Sequence, residues 1–155
     1  MFALAQFFDH PASHHRLAKV SKVQIDFAPA FRSTSLLFVG WLAAQLDWKI
    51  DAVKSSRELR FTETSGRHID VELREHDGQP VQGVTLNSGD VEFGVTYANC
   101  GDLLEVSRVQ TGEKRIPQLL PAGNNDPVDL ISEELIRGGP HHVYLNALNC
   151  VRDLL

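Results

Sequence analysis

The longest apolar run in the chain spans Ser33 to Trp48 and carries both tryptophans. If it is a helix, at about 100° per residue, it has two apolar faces separated by narrow polar strips. The aliphatic face consists of Leu36, Val39, Leu42, Ala43 and Leu46. The opposite face carries the tryptophans and consists of Leu37, Trp41, Ala44 and Trp48. Such a helix must be covered twice. We expect a sheet on the aliphatic side and either the C-terminal helices or another protein over the tryptophans.

Strict alternation of apolar and polar residues predicts half-buried strands in several places. The first strand is expected between Val20 and Ala28, where Pro29 ends it. Further strands are expected after the long helix, with the turn signals Asp77-Gly78 and Ser88-Gly89 between some of them. Their apolar positions are Leu59 and Phe61; Ile69, Val71 and Leu73; Val81 to Leu86; Val91 to Tyr97; and Leu103 to Val109. The stretches Lys49–Arg57 and Thr111–Asn125 are interpreted as a polar exit and a loop.

Three further helices are predicted near the ends of the chain. Phe2 to His10 is a short apolar helix stopped by Pro11. Asp126-Pro127 is typical of a helix start, and Gly138-Gly139 of a helix end. After Pro140 a last helix presents an apolar stripe, whose members are Val143, Ala147, Cys150 and Leu154.

This order predicts an α+β fold, a mostly antiparallel sheet of five to six strands with helices packed on one face. The first strand, the long helix and the next strand could form a crossover, which would make one parallel pair. We expect a single domain over residues 1–155, in which residues 1–18 form an N-terminal helix and connector. Because that helix begins without a capping residue, we expect the chain to be the C-terminal domain of a longer protein.

Composition excludes several classes of partner. The chain has 155 residues, 43% of them hydrophobic and 23% charged, and a net charge of -5. Because it has no basic patch, we expect neither a nucleic acid nor an anionic membrane as a partner. The apolar run is too short for a bilayer, and the N-terminus lacks the basic region of a signal peptide. The cytoplasm is therefore the expected location.

We find no pattern that predicts a metal site, a bound cofactor or catalytic residues. The seven histidines do not show zinc-site spacing and are interpreted as surface residues near helix ends. No nucleotide loop, nucleophile elbow or catalytic triad is recognisable. Because a triad need not be visible in a sequence, an unrecognised hydrolase stays open as a third alternative.

The two cysteines, Cys100 and Cys150, leave two interpretations open. They could close as a redox-sensitive pair if the strand end that carries Cys100 lies beside the last helix. Alternatively, Cys150 is an ordinary buried thiol, because its helical stripe is apolar, and Cys100 is an exposed thiol at a turn.

The segment from Lys114 to Asp126 is the candidate ligand site. It leads into a helix N-terminus, which attracts anions, but Asp126 already occupies the cap and would repel a phosphate. Lys114 and Arg115 could offset that repulsion, so a domain that senses a sugar phosphate or a nucleotide is the alternative function. In the helix that follows, Glu133 is interpreted as an i,i+4 partner of Arg137 on a solvated face.

Three segments together resemble a known family. They are FVGWLAAQLDW (Phe38–Trp48), VQGVTLNSGDVEFGV (Val81–Val95) and LISEELIRGGPHHVYLNAL (Leu130–Leu148). Their order is similar to that in the C-terminal domain of the glucose-6-phosphate dehydrogenase assembly protein family, OpcA, of cyanobacteria and actinobacteria. The resemblance covers the chain from about Leu4 to its end. It implies a non-catalytic protein that binds glucose-6-phosphate dehydrogenase, promotes its active oligomer and raises its activity in the oxidative pentose phosphate pathway.

The resemblance also implies which residues to examine. The matching positions are Gly40, Trp41, Leu42, Glu133, Glu134, Leu135, Tyr144, Ala147 and Leu148, whereas His142 stands where the pattern has an acidic residue. The partner-binding candidates are Trp41, Trp48, Glu133, Glu134, Arg137 and Tyr144. Cyanobacterial members have a thiol-based redox response, which makes Cys100 and Cys150 redox candidates and thioredoxin a second candidate partner. If both tryptophans are buried within this domain, the binding surface must lie elsewhere.

Overall fold

A computed structural model describes residue 16 and residues 19–98, 102–122 and 142–154. Within these residues the chain forms eight strands and two α-helices, so the predicted α+β class is confirmed. In chain order the elements are β1 (Lys22–Phe27), α1 (Arg32–Leu46), β2 (Trp48–Val53), β3 (Glu58–Glu63), β4 (His68–Glu75), β5 (Val81–Ser88), β6 (Val91–Tyr97), β7 (Leu103–Gln110), β8 (Gln118–Pro121) and α2 (His142–Val151). Short 3₁₀ turns at Pro29–Phe31 and Arg152–Leu154 flank the two helices.

The strands form one sheet in the order β2-β3-β4-β1-β5-β6-β7-β8. All neighbours are antiparallel except β1 and β4, which run parallel with Val23 beside Val71 and Ile25 beside Leu73. The expectation of one parallel pair is therefore confirmed, but its members were only partly foreseen. The strand that follows α1 is carried to the sheet edge as β2, and β1 instead pairs with the third strand after the helix.

The predicted count of five to six strands is wrong, because both edge strands were missed. β2 lies in the expected polar exit, and five of its six residues are exposed. β8 has four residues within the expected loop and pairs with β7 from Leu103↔Pro121 to Val106↔Gln118. The apolar-polar alternation of β2 was overlooked because its first residue, Trp48, was assigned to the long helix, and β8 is too short to show alternation.

The core lies between one face of the sheet and the two helices. The inward residues of the central strands are almost fully buried: Val23, Ile25, Leu59, Phe61, Ile69, Val71, Leu73, Leu86 and Phe93. α1 packs on β1 and β2 and also against α2, which contributes Ala147 and Val151 to the same core. This arrangement explains the two apolar faces of α1, since α2 is its second cover.

The ends of α1 differ from the prediction. The expected caps were Ser33 or Thr34, but the helix begins at Arg32 after Phe31, and Ser35 donates its hydroxyl hydrogen bond to the Phe31 carbonyl. At the other end Asp47 adopts a left-handed conformation (φ 54°), and its N–H bonds the carbonyl of Ala43. This cap turns the chain directly into β2, so Trp48 is the first residue of a strand and not a member of the helix.

The last predicted helix is confirmed as α2, although its stripe is only partly correct. Ala147 is buried, and Cys150 and Leu154 pack against the core, but Val143 is exposed. Val151, one turn after Ala147, takes the buried place. The helices expected over Phe2–His10 and after Asp126-Pro127 lie outside the described residues. Among the residues that are described, no helix has the length and hydropathy needed to cross a membrane.

Candidate interaction surface

Both tryptophans are buried inside this domain. Trp41 is 8% exposed and packs its ring 5.5 Å from that of Phe38, and Trp48 is 4% exposed with its ring 6.3 Å from that of Phe61. They form part of the core and do not face solvent. The expectation that they offer a contact surface is therefore corrected, and any binding surface of this fold has to be sought among other residues.

Tyr144 is the candidate from the C-terminal segment that the structure does place at the surface. Tyr144 is 51% exposed in the first turn of α2, and its neighbours Val143 and Leu145 are apolar and exposed as well. Glu133, Glu134 and Arg137 lie outside the described residues. Tyr144 is therefore exposed on the described surface, and its role in binding a partner stays a prediction.

Cys150 is half-buried at the α1–α2 contact. Burial raises the pKa of its thiol, and the nearby carboxylate of Asp47 raises this pKa further. A raised pKa lowers the thiolate fraction at neutral pH, which is the opposite of an activated redox cysteine. Cys100 lies outside the described residues, so the proposed pairing of the two thiols stays a prediction. The state of Cys150 does not support thioredoxin as a partner.

The turn that leads into the candidate ligand segment is tied to the neighbouring hairpin. The N–H of Thr111 and the Nε2 of Gln110 bond the Asp90 carbonyl and carboxylate at 2.8 and 3.1 Å. The N–H of Glu113 then bonds the Gln110 carbonyl at 2.9 Å in a turn with Gly112 at φ 90°. These bonds start the loop in a defined direction. They lead Arg115 back across β7 and β6.

Arg115 lies on the face of the sheet opposite the helices, which we call the open face. Its Nε and Nη2 donate to the Ser107 hydroxyl at 3.0 and 2.8 Å, and Nη2 stands 4.0 Å from a Glu92 carboxylate oxygen. A Cβ at position 94 would come within 2.5 Å of Nη2, so Gly94 provides the space for the guanidinium. Sequence reasoning considered Arg115 only as a phosphate ligand. The one signal for this contact was a glycine inside the alternating strand β6.

The other half of the open face is a set of paired charges. Asp70 accepts hydrogen bonds from Arg60 at 2.9 Å and Lys54 at 2.8 Å. These two bonds lower the pKa of Asp70 from 3.8 to about 2. Two further ion pairs, Lys22–Glu72 and Arg74–Asp26, lie on the same face. Opposite charges thus face each other across β3, β4 and β1. Among the described residues, no group of three or more metal-ligating side chains comes together.

These features define a class of protein: an α+β domain whose eight-stranded, mostly antiparallel sheet has helices on one face and polar side chains on the other. The chain belongs to the family described as the C-terminal domain of the glucose-6-phosphate dehydrogenase subunit, OpcA, whose profile matches residues 2–148. The family resemblance inferred from the three sequence segments is thereby confirmed.

Two curated relatives carry the name OxPP cycle protein OpcA. The protein from Synechococcus elongatus is 24% identical over 164 residues, which cover 93% of this chain and 36% of the relative. The protein from Nostoc punctiforme is 30% identical over 93 residues, covering 56% of this chain and 19% of the relative. The chain thus spans about a third of the first relative and less of the second.

A solved structure shares the fold. KijD10, a 3-ketoreductase from Actinomadura kijaniata in complex with NADP and TDP-benzene, superposes with a TM-score of 0.54 at 10% identity. The match covers 92% of this chain and 56% of that one. At this identity the likeness shows the fold alone.

Proposed function

We propose that this chain is a non-catalytic, allosteric activator that binds glucose-6-phosphate dehydrogenase and promotes its active oligomer. The observation that carries the proposal is the family match over residues 2–148, because the family is described as belonging to a subunit of that dehydrogenase. The OpcA name of both relatives, with its reference to the OxPP cycle, supports the same partner.

Activation of this kind has a thermodynamic requirement. The domain must bind the active state of the dehydrogenase more tightly than the inactive one, and a tenfold preference corresponds to about 1.4 kcal/mol of coupling. By reciprocity, a substrate that favours the active state must also tighten binding of the domain. This second effect separates an allosteric activator from a passive scaffold.

The test is a titration of purified dehydrogenase from the same organism with the 155-residue chain. We expect co-elution on size exclusion, a shift towards the larger dehydrogenase oligomer and a higher apparent affinity for glucose 6-phosphate. The Synechococcus relative, of which this chain covers 36%, serves at full length as the parallel sample. If the chain neither co-elutes with the dehydrogenase nor changes its kinetics, it is not the activating part.

The alternative function, a sensor of sugar phosphates or nucleotides, depended on the loop that begins at Lys114. The described part of that loop directs Arg115 onto Ser107, and no contact there favours a small ligand over a protein. A thermal-shift series with glucose 6-phosphate, 6-phosphogluconate and NADPH discriminates the two functions, since a saturating ligand must raise the apparent stability of the isolated chain.

A further inference from the structure

The two halves of the open face have different chemistry. Across β3, β4 and β1 the charged side chains pair with one another, so that half is already neutralised. Across β5, β6 and β7 the same face has a floor of small side chains in directly opposed pairs: Gly83 and Thr96, Thr85 and Gly94, and Gly94 and Ser107. This floor is itself buried at Gly83, Gly94 and Ser107, and the Arg115 side chain lies over the last two.

Arg115 is held on this floor in one orientation. Both of its bonds to Ser107 use the Nε–Nη2 edge of the guanidinium, and the Ser107 residue beneath is 3% exposed. Because Gly94 has no side chain, the guanidinium can lie close to the β6 backbone. A cation fixed in this way loses little conformational entropy when it binds a further group.

The other edge of the guanidinium remains available. Among the described residues Nη1 has no hydrogen bond, Nη2 is beyond hydrogen-bond distance of Glu92, and the Arg115 side chain is 52% exposed. The Nη1–Nη2 edge matches the two oxygens of a carboxylate in a fork with two parallel hydrogen bonds. The geometry therefore favours a carboxylate ligand rather than a second hydroxyl.

Two exposed apolar side chains belong to the same segment of the chain as Arg115. Ile116 directly follows Arg115 and is 76% exposed, and Leu119 on β8 is 57% exposed. Leu119 belongs to the open face because its neighbour Leu120 packs with Leu104 on the helix side. A fixed arginine beside exposed aliphatic side chains is typical of the centre of a protein interface.

We propose that the surface formed by Thr96, Arg115, Ile116 and Leu119 is the site at which glucose-6-phosphate dehydrogenase docks, through an aspartate or glutamate side chain that binds Arg115. This inference rests on the proposed function for the identity of the partner. Glu92 and Glu105 lie on the same face and repel acidic groups that do not reach Arg115. The partner therefore presents one carboxylate with apolar side chains around it, not an acidic cluster.

The test measures binding of dehydrogenase to the chain and to four variants. Arg115→Ala and Leu119→Asp are expected to weaken binding at least tenfold, because each removes or opposes a central contact. Arg115→Lys keeps the charge but not the fork, so we expect it to restore less than half of the lost binding free energy. Arg74→Ala, which breaks an ion pair in the neutralised half, is the matched control and is expected to bind like the original chain. Thermal unfolding of each variant shows that it is folded.

A fifth variant tests the carboxylate directly. Glu92→Gln removes a negative charge 4.0 Å from Nη2, so binding is expected to stay equal or become tighter. Weaker binding would mean that Arg115 serves to position Glu92, and would overturn the proposed fork. If the original chain binds the dehydrogenase and Arg115→Ala binds equally well, this surface is wrong while the proposed function stands. If the original chain does not bind at all, both fail together.

Discussion

At the scale of single residues, Gly40 lies at a close approach of α1 to α2. A Cβ at this position would stand 2.2 Å from the carbonyl oxygen of Ala147 and 3.0 Å from a methyl group of Val151. The first of these is a backbone atom, so relief requires the helices to separate. The glycine is therefore a packing requirement, although glycine in a helix interior is intrinsically unfavourable.

For Gly40→Ala we expect a loss of about 2 kcal/mol in the free energy of unfolding, because overpacking at a rigid contact outweighs the gain in helix propensity of about 1 kcal/mol. Urea unfolding followed by far-UV circular dichroism measures the change. Gln45→Ala, at an exposed position of the same helix, is the control and is expected to be neutral or slightly stabilising. A stabilised Gly40→Ala would show that α2 does not pack at this distance.

Asp70 makes a second prediction at this scale. Its pKa in the folded protein is about 2, below the ordinary 3.8, because Arg60 and then Lys54 hydrogen-bond its carboxylate. A lowered carboxyl pKa contributes stability that is present above the unfolded pKa and lost as the pH falls through the folded pKa. The contribution should therefore be complete above about pH 4 and disappear towards pH 2.

Asp70→Asn should lower the free energy of unfolding at pH 7 by no more than about 1 kcal/mol, since the ion pairs are half exposed and screened by water. The difference from the original chain should shrink between about pH 4 and pH 2, where the carboxylate protonates in both states. Unfolding curves at a series of pH values check this. Asp102→Asn, which removes a carboxylate that makes no ion pair within the described residues, is measured alongside as the control.

At the scale of elements, α2 is a short helix that stabilises the fold through few residues. Ala147 and Val151 are its buried members, while Val143 to Leu145 are exposed in its first turn. The two ends of one helix thus provide a matched pair of valines in different environments.

Val151→Ala is expected to cost about 2 kcal/mol through lost burial and a residual cavity, and Val143→Ala less than about 0.5 kcal/mol. The two substitutions delete the same atoms, so differences in the unfolded state largely cancel. Equal effects, measured by urea unfolding, would contradict the observed docking of α2 on α1.

At the scale of the whole molecule, we expect stability to come mainly from the apolar core between the sheet and the helices, not from the surface charges. The core joins the sheet and both helices, whereas the ion pairs on the open face are mostly exposed. The free energy of unfolding should therefore change by less than about 1 kcal/mol between about 0.1 and 1 M sodium chloride, where surface pairs are screened. Unfolding by urea at each salt concentration measures this. A decrease of several kcal/mol in the free energy of unfolding at high salt would show that the ion pairs hold the fold together.

Some elements of the fold could be predicted from the sequence, and others could not. Strands buried on one face, such as β1 and β4, show period-two alternation because every second side chain enters the core, and these were predicted. β2 does alternate, with Trp48 and Ile50 separated by Lys49, but it was missed because Trp48 was assigned to the preceding helix. β8 has only four residues, too few to show a pattern. The candidate site was recovered least well, since the predicted tryptophans are core residues and Arg115, correctly placed in a loop, was considered only for its charge.

The sequence by itself determined which residues of the alternating strands face inward, the apolar character of α1 on two sides, and the family. These properties are local: they follow from periodicity within single elements or from short matching segments. Only the tertiary structure decided that β4 lies beside β1, that Trp48 begins a strand, and that Arg115 rests on Ser107 above Gly94. Each of these features depends on contacts between separate elements. The free energy of such contacts is gained only when the elements pack together, so the pattern within one element does not reveal it.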